Sequence, residues 1–381
     1  MKRSRVRSLK NRLSQLAVRP LQRERLAPGQ LPLLRPRRVL IVRQQNQMGD
    51  MVCATPALRA IRETWPDAHL TLVTAPVNVE VVRHCPLLDR ALTFDSRLWR
   101  RPAALVRFLR ELRAGPPDLT FVLSSVSFSV TSALLGLLSG ARWVVGADSR
   151  PYGWDLSAGV FSLELPASPV VDRHAVDHSL APLEAVGIRT ADRSTVVVPA
   201  PEEKAAAAAI LTELGLASGF WALHPGAGKA QNAWPPASFA AVARRAAKKG
   251  HRVLVLHGPA DGAARDAVAV AADAGPGRAV QVAPACPVGV AAALLMQADR
   301  FLCNDTGIMH VAGALPVPTV ALFGPTDPGL WKPPSAAVVA LRSPGRSPDP
   351  RGAEYGWMEN LDVDTVWAAW SGLVGACAVR E

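Results

Sequence analysis

Apolar and polar positions alternate between two rhythms along the 381 residues of this chain. Short β-branched runs at 39–42, 70–74, 91–94, 119–123 and 143–145 predict strands. Between them, at 49–64, 102–113, 131–138 and 171–186, apolar residues return every three or four positions, which predicts helices. A proline-marked stretch at 196–204 interrupts this, and then the alternation restarts. Strands are expected at 220–223, 253–256, 280–282, 300–303 and 319–323, helices at 237–249, 262–272, 288–297 and 307–314. Strand-helix alternation requires right-handed crossovers and parallel pairing. The fold class is therefore α/β, two doubly wound Rossmann-like parallel-sheet domains. The expected division is a tail and linker over 1–36, a first domain over 37–200, and a second over 201–381.

Charge then changes the picture. The formal net charge is +12, but residues 1–38 hold 12 Lys or Arg against Glu24 alone, which leaves 31 basic and 30 acidic side chains for everything after them. Within that leader Val6, Leu9, Leu13 and Leu16 form one helical stripe, with Arg3, Arg7, Lys10 and Arg12 outside it. A basic amphipathic helix ended by Pro20 is the expectation, with residues 1–26 held on an anionic membrane surface; a solubilising disordered arm is the alternative. No interleaving of basic and aromatic residues continues into the domains, so nucleic acid is not an expected partner. Residues 1–12 lack the apolar segment of a signal peptide, and the five cysteines include no Cys-x-x-Cys pair. A reducing, cytoplasmic setting follows, and no metal site is expected. Two uncharged stretches, 119–141 and 279–298, are long enough to span a bilayer but carry Ser, Thr, Pro or Gln and read as buried core.

In doubly wound sheets ligands bind beyond the carboxyl ends of the strands, so the loops there are where chemistry belongs. The first, 44–50, has a single glycine and lacks the spacing of a dinucleotide site. Its Asp50 opens a helix, where it serves either as a cap or as an ionised base. In the loop 304–310, Gly307 and the helix start behind it offer free N–H groups to an anion, Asp305 suits sugar hydroxyls, and His310 lies one turn beyond Thr306. A capped helix with a packed histidine is the plainer reading. Loop 224–235 contributes Gly226, Ala227, Gly228 and Lys229 before Trp234-Pro235, either an anion pocket or a solvated turn. Gly324 and Thr326 follow 319–323, expected to be the last strand of this half. Several such loops on one rim imply a phosphorylated ligand in the second domain.

Together the loops resemble glycosyltransferase family 9, the heptosyltransferase family. The matching residues are Val39-Leu40-Ile41-Val42 with Met48-Gly49-Asp50 and Thr55-Pro56-Ala57-Leu58, then His224-Pro225-Gly226-Ala227 and Trp234-Pro235. They continue with Asp305-Thr306-Gly307 through His310, and end with Phe323-Gly324-Pro325-Thr326-Asp327-Pro328 and Trp331. The resemblance implies a GT-B architecture with a closing helix at 363–373, acceptor on the first domain, nucleotide-sugar on the second, and inverting transfer without a metal or other cofactor. It implies heptose from ADP-heptose as donor and a lipid-linked or lipopolysaccharide-core acceptor, at the inner face of the cytoplasmic membrane. Asp50 becomes the general base; Asp305 contacts donor hydroxyls; Thr306, Gly307 and His310 hold the diphosphate; and Asp261 stands where an acidic residue meets the ribose. Many members carry a lysine two residues before the tryptophan, a position held here by Asn232, so Lys229 would have to supply the charge. A non-catalytic nucleotide-sugar-binding or scaffold protein of the same architecture is the rival that Asn232 raises.

Overall fold

The computed structural model describes residues 24–45, 47–124, 126–344 and 358–374. The predicted amphipathic helix at the start of the leader lies outside the described residues. The chain divides into two compact units between Arg193 and Ser194.

In the first unit the strands are β1 (Arg38–Arg43), β2 (His69–Thr74), β3 (Arg90–Thr93), β4 (Leu119–Val122), β5 (Trp143–Ala147) and β6 (Leu163–Leu165), in the order β3-β2-β1-β4-β5-β6. Every pairing is parallel, with Ile41 between Leu72 and Phe121. The helices are α1 (Met48–Cys53), α2 (Thr55–Thr64), α3 (Pro76–Val82), α4 (Pro102–Arg113), α5 (Val130–Leu138), α6 (Ser157–Val160) and α7 (Ala175–Glu184). The second unit repeats the plan. Strands β7 (Phe220–His224), β8 (Val253–Val255), β9 (Val280–Val282), β10 (Ala298–Asn304), β11 (Thr319–Phe323) and β12 (Val338–Arg342) form a parallel sheet ordered β12-β11-β10-β7-β8-β9. Its helices are α8 (Pro201–Glu213), α9 (Pro236–Lys248), α10 (Gly262–Ala271), α11 (Val288–Leu295), α12 (Gly307–Ala314), α13 (Pro328–Trp331) and α14 (Val363–Ser371).

Helices cover both faces of each sheet, so the central strands β4, β7 and β11 are buried at every residue. One core of the second unit joins Trp221, Leu223, Trp234, Phe239, Leu302 and Trp370; in the first, Phe94, Phe108, Phe128 and Phe161 gather around Val42 and Val144. The uncharged stretches at 119–141 and 279–298 are β4 with α5 and β9 with α11, as expected of core. Among the described residues no helix is long and apolar enough to cross a membrane.

Four expectations need correction. The single helix at 49–64 is two, because Pro56 has no N–H to give and its ring displaces the Val52 carbonyl. The Thr55 hydroxyl donates to that carbonyl at 2.7 Å instead. The helix expected from residue 171 starts at Ala175, where extended His174 accepts from Val176 N through Nδ1 at 3.2 Å. The prolines at 199 and 201 do not merely mark a boundary: Pro201 starts α8, with Glu203 accepting from Ala200 N at 2.7 Å. The strand at 319–323 is not the last of its sheet, since β12 pairs beside it.

Candidate active site

In both sheets the strand order reverses beside the first strand, between β1 and β4 in one unit and β7 and β10 in the other. A crevice opens there at the carboxyl ends, because the crossovers on either side leave in opposite directions. All the loops singled out from the sequence follow strands at that edge.

In the first unit, Gln47 takes the N-cap position of α1 without a side-chain cap bond, so Asp50 is a half-buried first-turn residue rather than the cap. Its ionised form lies in the positive field of the helix start. Beneath it is a residue that sequence reading passed over. Arg43 closes the apolar run of β1 and is 2 % exposed, and its Nη2 donates to the Asp50 carbonyl at 3.0 Å. Burial pulls the guanidinium below its ordinary value, opposed by the negative charge of Asp50. Thr74 Oγ1 donates to the Arg43 carbonyl at 2.8 Å, and Asn78 donates to that of Gln45, which anchors the start of the loop. Gln44 Nε2, Gln45 Oε1, Asn78 Oδ1 and Ser124 Oγ are buried without a protein partner among the described residues. A cavity of about 260 Å³ lies beyond β4, β5 and β6, lined by Ser124, Tyr152, Ser168, Arg173 and His178 among others. Burial pushes the Tyr152 hydroxyl up to about 12, so it stays a neutral hydrogen-bonding group.

In the second unit Asn304 ties the loops together. Fully buried at the end of β10, its Nδ2 donates to the carbonyls of Pro225 and Gly226 at 3.0 and 3.1 Å, and its Oδ1 accepts from Trp234 N at 3.0 Å. An asparagine closing an apolar strand was the available signal for it. Asn232, also buried, donates through Nδ2 to Asp305 Oδ2 at 2.9 Å and to Thr326 Oγ1 at 3.3 Å. Thus residues expected from three separate loops do meet. Burial raises the Asp305 carboxyl, against the Thr326 hydrogen bond and the charge of Lys229. Lys229 itself is exposed, at the head of a 3-10 turn over Ala230–Asn232. Gly324 has no room for a side chain, since a Cβ would stand 2.9 Å from the Gln231 carbonyl and 3.0 Å from Met358 Sδ.

Thr306 is the N-cap residue of α12 and makes no side-chain cap bond, Gly307 is its first helical residue, and His310 is 4 % exposed in the helix body. Asp261 turns inward: its Oδ2 accepts from Gly258 N at 2.7 Å and stands 3.2 Å from His224 Nε2. The His224 hydrogen bond, chiefly, holds this carboxyl below its ordinary value. A Cβ on Gly226 would run into the same carboxylate, so Gly226 is the glycine that the Asp261 position requires. Ala227 follows it, partly exposed. Among the described residues, no three His, Cys, Asp or Glu side chains stand together as metal ligands would.

Three comparisons bear on this geometry. The sequence model of glycosyltransferase family 9 (heptosyltransferase) matches residues 105–355. Lipopolysaccharide heptosyltransferase 3 of Escherichia coli is 23 % identical over 290 residues, covering 75 % of this chain and 83 % of that protein. Among solved structures, the family 9 glycosyl transferase of Veillonella parvula has a TM-score of 0.73 at 21 % identity, covering 87 % of this chain and 95 % of the other. E. coli heptosyltransferase WaaC with ADP gives 0.67 at 22 %, covering 86 % and 97 %. The two doubly wound units therefore have the GT-B fold of those structures, and the chain belongs to glycosyltransferase family 9, the heptosyltransferase family.

Proposed function

We propose that this chain transfers heptose from ADP-heptose, with inversion and without a metal, to a lipid-linked or lipopolysaccharide-core acceptor at the inner face of the cytoplasmic membrane. The observation that carries the reading is the junction of Asn232, Asp305 and Thr326, which gathers three loops at the switch point of the second sheet. Related structures hold ADP and an ADP-heptose analogue, and relatives are named for lipopolysaccharide.

In this account the second domain takes the donor. Lys229 closes over the leaving diphosphate, the N–H groups of Thr306 and Gly307 receive it, and Gly226, Ala227, Gly324 and the buried His310 shape the wall. Asp305 accepts from sugar hydroxyls through the oxygen that Asn232 leaves open, and the remaining Asp261 oxygen faces the ribose. The first domain takes the acceptor, with Asp50 as the base that removes its hydroxyl proton. The unpartnered atoms Gln44 Nε2, Gln45 Oε1, Asn78 Oδ1 and Ser124 Oγ suit a hydroxyl-rich ligand such as a glycan.

Asn232 favours a second reading, a non-catalytic nucleotide-sugar-binding protein of envelope biogenesis, because its neutral amide already serves the Asp305 carboxylate where a cation would face the diphosphate. A thermal-shift series with ADP-, GDP- and UDP-sugars, followed by turnover with each stabilising donor, tests both. The first reading expects stabilisation by ADP-heptose, turnover unaffected by chelator, and weaker donor binding in Lys229→Ala. Donor binding without turnover across a panel of acceptors favours the second.

A further inference from the structure

The near-neutral charge of the domains conceals a second segregation, on the edge of the first sheet remote from the catalytic loops. Arg90, His69 and Arg38 begin β3, β2 and β1, and Arg142 stands immediately before β5. All four are exposed at the amino ends of their strands, β3, β2 and β1 being neighbours and β4 standing between β1 and β5. Arg38, His69 and Arg90 line a cavity of about 400 Å³ together with the end of α4, including Glu111 and Ala114. Gly115 leaves room for the Arg38 guanidinium, which a Cβ there would displace.

Helix α4 carries the pattern onward. Its Phe108 and Leu112 are buried, while Ala103, Arg107, Arg110 and Ala114, spaced four, three and four apart, form an exposed stripe that ends at the cavity. Val106, 46 % exposed, lies beside that stripe. Arg38, Arg107 and Arg110 have no ion pair among the described residues. Nearby acids are largely engaged: Glu111 with Arg90, Asp89 with Arg62, and Asp118 with the N–H groups of Arg37 and Arg38. Asp67 remains exposed beside His69.

The basic leader joins the unit at the same edge. Glu24 pairs with Arg142 at 3.3 Å, Leu26 N donates to the Ser162 carbonyl just before β6, and Arg25 donates to the Ala158 and Phe161 carbonyls.

We propose that this edge of the folded unit, with the arginine stripe of α4, docks on the phosphate surface of an anionic bilayer independently of the contacts the leader makes. Arg38 at the edge and Arg107 and Arg110 on the stripe that ends there have no ion pair among the described residues, Val106 is exposed beside them, and the leader attaches at the same edge, the composition of an interfacial surface. The surface follows from charge and burial and does not depend on glycosyl transfer. It does have a consequence if transfer is correct. Six strand residues at about 3.3 Å each separate this edge from the Asp50 loop by roughly 20 Å. Docking here suits an acceptor whose reacting sugar stands several sugars above its lipid.

The test is co-sedimentation of the full chain with vesicles of phosphatidylglycerol and phosphatidylcholine, compared with pure phosphatidylcholine. The Arg38→Gln, Arg107→Gln, Arg110→Gln variant is expected to lose about fivefold in partitioning per charge, on the order of 100-fold in all. A melting curve matching the original chain shows that it is folded; should it not fold, Arg107→Gln, Arg110→Gln is expected to lose about 25-fold. ADP release with a water-soluble acceptor sugar should be unchanged in the variants. Failure of the transfer reading would appear in that assay for the unaltered chain, leaving the vesicle result decisive for the surface. Undiminished partitioning of the variants, equal binding to neutral vesicles, or loss instead of double-stranded DNA binding at physiological salt would each overturn the proposal.

Discussion

Two carboxylates at the carboxyl end of the second sheet are pulled in opposite directions by their surroundings. Asp305 is raised because burial outweighs the Thr326 hydrogen bond and the Lys229 charge, whereas Asp261 is lowered chiefly by His224. A raised carboxyl contributes stability that is present below the ordinary carboxylate range and lost as pH rises through its folded value. A lowered one contributes stability present above that range and lost as pH falls through its folded value. Asp305→Asn should therefore raise the melting temperature at pH 7 and change it little near pH 3. Asp261→Asn should lower it at pH 7 and lose that effect in acid. Melting curves from pH 3 to 8 check both, and parallel profiles would contradict the assignment. Gly226 offers a test of packing: Gly226→Ala should cost about 1–3 kcal/mol by forcing aside the Asp261 carboxylate, and Asp261→Ser should recover part of it. Additive losses in denaturant unfolding would mean that the two do not press on one another. At this scale the sequence disclosed the residues of the loops but not their partners. Arg43 and Asn304 were passed over because each is one polar residue at the end of an apolar run, and only the fold reveals which loops it reaches.

Strongly periodic elements were legible; those whose pattern is weak were not. The Ala-rich run of α8 has no large apolar stripe, and its opening proline reads equally as a boundary. The split of α1 from α2 is a local consequence of Pro56 that periodicity cannot register. The closing helix α14 was expected, but not its attachment. Arg300 lies 4.3 Å over the Trp221 ring and donates to the carbonyls of Trp370 and Ser371 at 3.1 and 2.8 Å, at the negative end of the helix. Trp370 packs edge-on against Trp221 at 4.7 Å. Arg300→Leu should thus cost about 1–3 kcal/mol in denaturant unfolding, through lost charge-assisted hydrogen bonds, and leave donor affinity intact. A matching loss of donor affinity in calorimetric titration would tie this remote helix to the site.

At the scale of the whole molecule, two sheets with one strand order, each around its own core, present two switch points. The sequence made the fold class readable because alternation restarts after residue 204, and charge arithmetic over the whole chain concealed the basic edge because acids elsewhere balance it. Scanning calorimetry should show ADP stabilising the second unit, by about 2.7 kcal/mol at 100 times its Kd, with the first unit unshifted; equal shifts of both would contradict a donor site confined to one unit. The most direct test of the account is ADP release from ADP-heptose in the presence of a core lipopolysaccharide acceptor, comparing the unaltered chain with Asp50→Asn. Transfer with Asp50 as base predicts turnover for the first and a loss of about 10²–10⁴-fold for the second at unchanged ADP affinity. Full turnover in Asp50→Asn would contradict the base, and no turnover by the unaltered chain with any acceptor would contradict the enzyme.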